Sequence, residues 1–160
     1  MAGVLTTFGI AAALAVLAAG CVRPVSVDEP DAAVGRKLFG SYCAACHGSE
    51  GEGGAAEGGE NGAPPLSGAP WISGPDERLV RIVLHGLGGP VEVAGKVYEL
   101  EMPGFGPVLS DEQVAAVLNR ARAFSDAALP PVRTDTVRRV RERFADREGY
   151  WTAAELEARD

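Results

Sequence analysis

The stretch Cys43-Ala44-Ala45-Cys46-His47 sets two thiols three residues apart and follows them at once with an imidazole. Thiols at this spacing reach the two vinyl groups on one edge of a porphyrin and form thioethers. The next residue then falls under the iron, so the pattern is the attachment signature of a c-type haem. Rival chemistries fit less well. A tetrahedral structural zinc site needs four ligands, and the chain has three cysteines and two histidines, with Cys21 far upstream. A dithiol redox pair needs a preceding strand and a βαβ context, and the pattern around Cys43 offers neither.

A second candidate lies at Glu101-Met102-Pro103-Gly104-Phe105-Gly106. A methionine between Glu and Pro-Gly, outside any helical stripe, is poorly explained as core filler. A thioether is a soft ligand for iron, and Met/His ligation raises a haem's potential. The chain has two methionines and the other is Met1, which leaves Met102 as the one available to a mature protein. His85 competes for the same role, although a histidine near a helix end is more often a capping or core residue. A metal-bound histidine usually donates its second ring N–H to a carbonyl or carboxylate. The carbonyl of Pro64 or Pro65, in Ala63-Pro64-Pro65-Leu66, is the expected acceptor for His47; alternatively, these prolines only stiffen a turn.

These residues need elements to hold them. Asp31 to Tyr42 predicts a helix with Val34, Leu38 and Tyr42 on one face and Gly35 and Phe39 beside it. This helix feeds directly into Cys43. Gly48 to Gly62 is glycine-rich, carries Glu50, Glu52, Glu57 and Glu60 and no basic residue, and reads as an exposed loop. Ser73 and Asp76 stand in capping-box spacing around Pro75 and predict a helix to about Leu84. Val91, Val93, Val97 and Tyr98 around Ala94-Gly95 predict a small hairpin. Ser110 to Gln113 is an S-x-x-Q capping box. It opens a helix with Val114, Val117, Leu118, Ala121 and Phe124 at apolar spacing. Thr134 or Asp135 caps a further helix through Val137, Val140 and Phe144, and Thr152 to Glu155 is another capping box. The expected organisation is a signal peptide at 1–20, a tether at 21–30, one domain at 31–129 and a helical extension at 130–160. That extension is expected to pack on the domain through Val137, Val140, Phe144, Tyr150 and Trp151.

Ile10 to Ala19 is uninterrupted apolar sequence, of signal-peptide length and short of a spanning helix. It stops at Leu17-Ala18-Ala19-Gly20-Cys21, which resembles a bacterial lipobox and makes Cys21 the expected lipidation site; the alternative is an ordinary cut nearby and a free Cys21. The net charge of −7 argues against nucleic acid as a partner.

Taken together, residues 31 to 126 resemble a class I (cytochrome c-like) domain. A helix enters C-x-x-C-H, and a glycine-rich loop, P-P-L, a middle helix, M-P-x-F-G and a capped final helix follow in order. Leu84-His85-Gly86-Leu87-Gly88-Gly89-Pro90 through Tyr98 to Met102 further resembles single-haem cytochromes that accompany periplasmic dehydrogenases. The resemblance implies an all-α fold with glycine-rich loops. It also implies one covalent haem c, with Cys43 and Cys46 as thioether residues and His47 and Met102 as axial ligands. In such domains the first and last helices cross at a Gly and an aromatic of one and an aromatic of the other. Gly35 and Phe39 match, and the last-helix position falls at Arg120. Arg120 is then expected to stack on Phe39, or Phe124 to take over one turn later.

A six-coordinate iron has no open position for substrate, so the expectation is a non-enzymatic carrier of single electrons. It would work on the periplasmic side of a bacterial membrane, anchored at Cys21. Its expected partners are a dehydrogenase or reductase as donor and an oxidase or other acceptor. The alternatives are a haem ligand sensor or small peroxidase-like enzyme with a labile sixth ligand, and a non-catalytic subunit of a larger complex.

Overall fold

Two helices meet at a glycine and fix everything else. The computed structural model describes residues 32–54 and 62–159. The stretches expected to be signal peptide and tether, with Cys21, and Glu57 and Glu60 lie outside the described residues. Helix α1 (Ala32–Tyr42) buries Gly35 and Phe39, one turn apart on one face. Val34 and Tyr42, expected on the core face, are exposed. The reason is the crossing partner, α4 (Asp111–Arg122). A Cβ at Gly35 would strike the carbonyl oxygen of Ala116, so only glycine allows this approach, and the approach decides which face is buried. Phe39 meets Phe124 edge-on, with ring centroids 5.1 Å apart. Arg120 does not stack on Phe39. Its guanidinium lies 4.3 Å from the Phe124 ring centroid and reaches the Ser49 carbonyl and Glu50. Phe124 therefore supplies the aromatic, one turn late.

Between these helices run α2 (Ala44–His47) and α3 (Asp76–His85). The expected box at Ser73 does not form. Pro75 is the N-cap and no side chain caps the helix, because the Ser73 hydroxyl pairs with Ser125 at 3.1 Å. The box at Ser110 forms in full, with Ser110 N–H on Gln113 at 2.9 Å and Gln113 N–H on Ser110 at 3.3 Å.

Helices make up most of the described regular structure, but the chain is not strictly all-α. Strand β1 (Gly86–Leu87) continues from the end of α3. The hairpin β2 (Val91–Val93) and β3 (Lys96–Tyr98) turns at Ala94 and Gly95, whose φ values of 51° and 76° suit a tight two-residue hairpin loop. β4 (Met102–Pro103) pairs antiparallel with β1, Leu87 opposite Met102 and Gly86 opposite Pro103.

The C-terminal segment folds back on this frame. Asn119 holds its start, accepting from Val132 N–H at 2.7 Å and donating to the Val132 carbonyl at 3.1 Å. Helix α5 (Thr134–Arg143) has Arg133 at its N-cap and no side-chain capping bond, so neither Thr134 nor Asp135 caps it. It buries Val137 and Val140 against α3 and α4, each valine contributing about 1.5–2 kcal/mol by burial. Phe144 is partly buried, Trp151 fully so, and Tyr150 stays exposed. The short α6 (Ala153–Glu157) carries the Thr152–Glu155 capping box and buries Leu156.

Candidate functional site

Helix α1 delivers Cys43 through a bond from its N–H to Phe39 O at 2.9 Å. The single turn of α2 follows, with the N–H groups of Cys46 and His47 both on Cys43 O, at 3.1 and 2.9 Å. Spacings of three and four along a helix share a face, so this turn sets both thiols and the imidazole on one side. Cys43 is half-buried and Cys46 exposed, and the two are not joined as a disulfide. Burial pushes the Cys43 thiol up to about 11, with Cys46 adding to the effect. Dithiol redox centres do the opposite and depress a thiol.

The His47 ring is fixed by its Nδ1, 3.1 Å from the carbonyl oxygen of Pro64. A carbonyl only accepts, so Nδ1 carries the hydrogen and Nε2 keeps its lone pair. Pro64 is placed by a loop closed on itself: His47 O takes the Gly53 N–H at 2.8 Å, and Gly51 O takes those of Leu66 and Ser67 at 2.8 and 2.9 Å. Pro65 stands on the same loop without such a bond to His47. Burial holds the imidazole below its ordinary pKa, and the Pro64 bond opposes that shift. The ring is thus neutral near pH 7, the state that a metal ligand requires.

Cys43, Cys46, His47, Pro64, Pro65 and Met102 all line one cavity of about 200 Å³. The remaining lining is almost wholly apolar, including Phe39, Ile82, Val83 and Leu118. Met102 is half-buried and enters from β4, where Leu87 pairs with it. His85 is not among the lining residues. It packs edge-on to Trp151 at 6.4 Å, and burial, then Arg147 and Arg141, lower its pKa. An apolar slot with two thiols on its rim, a neutral imidazole with a free lone pair and a thioether fits a haem. A bare zinc ion would need four converging donors, and among the described residues no group of three or more His, Cys, Asp or Glu suits a metal ion.

Sequence reasoning gave no role to Trp71, which lines the cavity and donates its indole N–H to Glu92 O at 3.3 Å. Nor did it foresee the β1–β4 pair. Two residues on each side leave no alternation to read, and the partners lie far apart in the chain.

Comparisons with known proteins show the family. The profile of the family described as cytochrome c oxidase, cbb3-type, subunit III matches residues 30–119. The chain is similar to cytochrome c-552 of Thermus thermophilus, at 37% identity over 117 residues, 67% of this chain and 83% of that protein. It is also similar to the cbb3-type cytochrome c oxidase subunit CcoP of Azospirillum brasilense, at 40% identity over 65 residues, 40% of this chain and 22% of that protein.

Proposed function

Since the chain belongs to the family of cytochrome c oxidase, cbb3-type, subunit III, and is a class I c-type cytochrome that transfers single electrons, we propose that it carries one haem, attached through Cys43 and Cys46 and ligated by His47 and Met102. Haem supplies an iron that alternates between ferrous and ferric states. The protein's part is to bind, orient and tune. Cys43 and Cys46 fix the ring edge, and the Pro64 carbonyl sets the His47 tautomer and raises the basicity of Nε2. Met102 offers a soft neutral donor that favours the reduced state. The apolar lining keeps water out, which also favours the less charged form. The single observation that carries this reading is the convergence of both cysteines, His47 and Met102 on one apolar cavity that His85 does not line.

With His47 and Met102 both holding the iron, no position would be left for a substrate, which favours a carrier over an enzyme. A second reading makes it a non-catalytic electron-transfer subunit of a larger complex, favoured by the similarity to CcoP of the Azospirillum cbb3-type oxidase. The test is ligation itself. Met102→Ala should keep haem covalently bound, remove the sulfur-to-iron charge-transfer band of the oxidised protein and lower the potential. A wild-type protein that lacks the band, with a potential unchanged by Met102→Ala, would remove Met102 from the iron and leave a nitrogen ligand such as His85 to be tested. Rapid carbon monoxide binding by the wild type would favour the sensor or peroxidase reading instead.

The location belongs to the same proposal: export, and lipidation at Cys21, on the periplasmic side of a bacterial membrane. The support is the apolar run ending in Ala19-Gly20-Cys21. One acyl chain anchors marginally and several anchor stably. A multiply acylated Cys21 should therefore stay on membranes through a salt wash, and Cys21→Ser should release the protein. The mass of the mature N-terminus decides, and an unmodified start elsewhere sinks the anchor.

A further inference from the structure

Met102 is held from outside the cavity by the C-terminal extension, through two sets of bonds. The first set is on β1. Its one flank pairs with β4, putting Leu87 opposite Met102. Its other flank pairs with Trp151 in a parallel bridge, where Gly88 N–H donates to Trp151 O at 2.8 Å and Trp151 N–H donates to Gly86 O at 3.1 Å. Trp151 is thus one strand removed from Met102, and the Met102 side chain packs against the same apolar cluster as Trp151, Ile82 and Leu156.

The second set is on the loop after Met102. Arg141 of α5 spends its whole guanidinium on that loop and on the start of α4. Nε donates to Asp111 at 2.7 Å, one terminal nitrogen to Gly106 O at 2.7 Å and the other to Leu109 O at 2.8 Å. The loop's inner side is bonded to α3, with Phe105 N–H on Val83 O at 2.8 Å and Gly106 N–H on Leu84 O at 3.0 Å. A Cβ at Gly104 would sit 2.8 Å from Leu84 O, so the loop lies flat on the end of α3. The segment is clasped between α3 and the extension.

Neither Arg141 nor Trp151 lines the cavity. A thioether is a weak, neutral donor, so its hold on iron depends on how far the backbone that carries it is free to withdraw. We propose that Arg141 and Trp151 are positioning residues that keep the Met102 sulfur on the iron, which makes the extension a determinant of potential and of resistance to foreign ligands. This rests on the ligation reading above. Charge-assisted bonds to carbonyls and a carboxylate, made by one side chain at one loop, are the strong kind, and Arg's planar fork spans several acceptors that Lys cannot.

The experiment uses the full-length, haem-loaded protein in its oxidised state and measures the association rate of imidazole, the charge-transfer band and the potential. Arg141→Gln should raise the imidazole rate about tenfold, the effect expected for losing a charge-assisted bond set, weaken the band and lower the potential. Arg141→Lys, which keeps the charge and the Asp111 pair, should fall between Arg141→Gln and wild type. Trp151→Leu tests the β1 flank by the same readouts. Arg122→Gln is the matched control. Arg122 makes a comparable set of bonds, to Asp76, Gly74 O and Pro130 O, at the other end of α4. It should lower thermal stability yet leave all three readouts at wild-type values. Amide exchange of Gly88 and Gly106 should quicken in the Arg141 and Trp151 variants and not in Arg122→Gln. If Arg141→Gln and Trp151→Leu match wild type in imidazole rate and potential while Met102→Ala abolishes the band, the ligation reading stands and the positioning role is wrong. If the band survives Met102→Ala, both fall.

Discussion

Glycine at position 35 is the residue on which the helix crossing depends. Its missing side chain lets α1 touch the Ala116 carbonyl of α4. In an open helix Gly→Ala gains about 1 kcal/mol of propensity. Here the added methyl has backbone on its path, and overpacking of this kind costs about 1–3 kcal/mol. Gly35→Ala should therefore lower the thermal midpoint rather than raise it, and a stabilised variant would show that the crossing yields. The residues of the site were legible to unequal degrees. Cys43, Cys46 and His47 sit in one local motif that a single helical turn converts directly into geometry. Phe124 required a choice between two positions one turn apart, which depends on how Arg120 uses its charge. Arg120 turned to Ser49 and Glu50, partners 71 and 70 positions upstream in the chain that no local spacing announces.

Elements whose ends are closed by their own residues were readable, and those closed by distant ones were not. The boxes at Ser110 and Thr152 form because donor and acceptor lie within one turn. Ser73 matched the same spelling, but its hydroxyl found Ser125 instead. The β1–β4 pair had no spelling at all. The element that closes the extension, α6, has a pH dependence with a definite sign. Arg147 bonds Glu155 at 3.0 Å and lies 3.5 Å from the Trp151 ring centroid. Arg147 first, then the Thr152 N–H, hold the Glu155 carboxyl below the usual glutamate range. A carboxylate depressed in the folded state adds stability above its unfolded pKa, about 4.3, and loses it as pH falls through the folded value. The thermal midpoint of the wild type should exceed that of Glu155→Gln near neutrality. The gap should close progressively as pH drops below that range. A gap that is constant with pH would remove Glu155 from the account of the extension.

At the scale of the whole molecule, charge is unevenly placed. The net charge is −7. The extension from Val132 onward balances its arginines with acids, so the surplus lies on the remainder of the chain. Glu99 and Glu101 are exposed beside Leu100, and Glu101 and Leu100 line the cavity that holds Met102. An acidic rim there steers a basic partner and acts mainly on association rate. Electron transfer with such a partner should slow as ionic strength rises, with screening set in by about 10 Å at 0.1 M salt. Replacing Glu99 and Glu101 with Gln should lower both the rate and its salt slope. A rate indifferent to salt and to the double substitution would leave these carboxylates with solubility alone. The parallel bridge to Trp151 has a further consequence, for self-association. It caps the outer edge of β1, whose Gly88 N–H and Gly86 carbonyl are spent on Trp151. A chain lacking its last ten residues would present that edge as an open template, beside the apolar surface of Ile82 that Trp151 and Leu156 cover. Bare strand edges recruit other strands, and the nearest supply is a second copy of the same chain. With Trp151 in place, that edge is already paired, so removing the last ten residues should raise the apparent mass of the protein in solution, and an unchanged mass would count against this role.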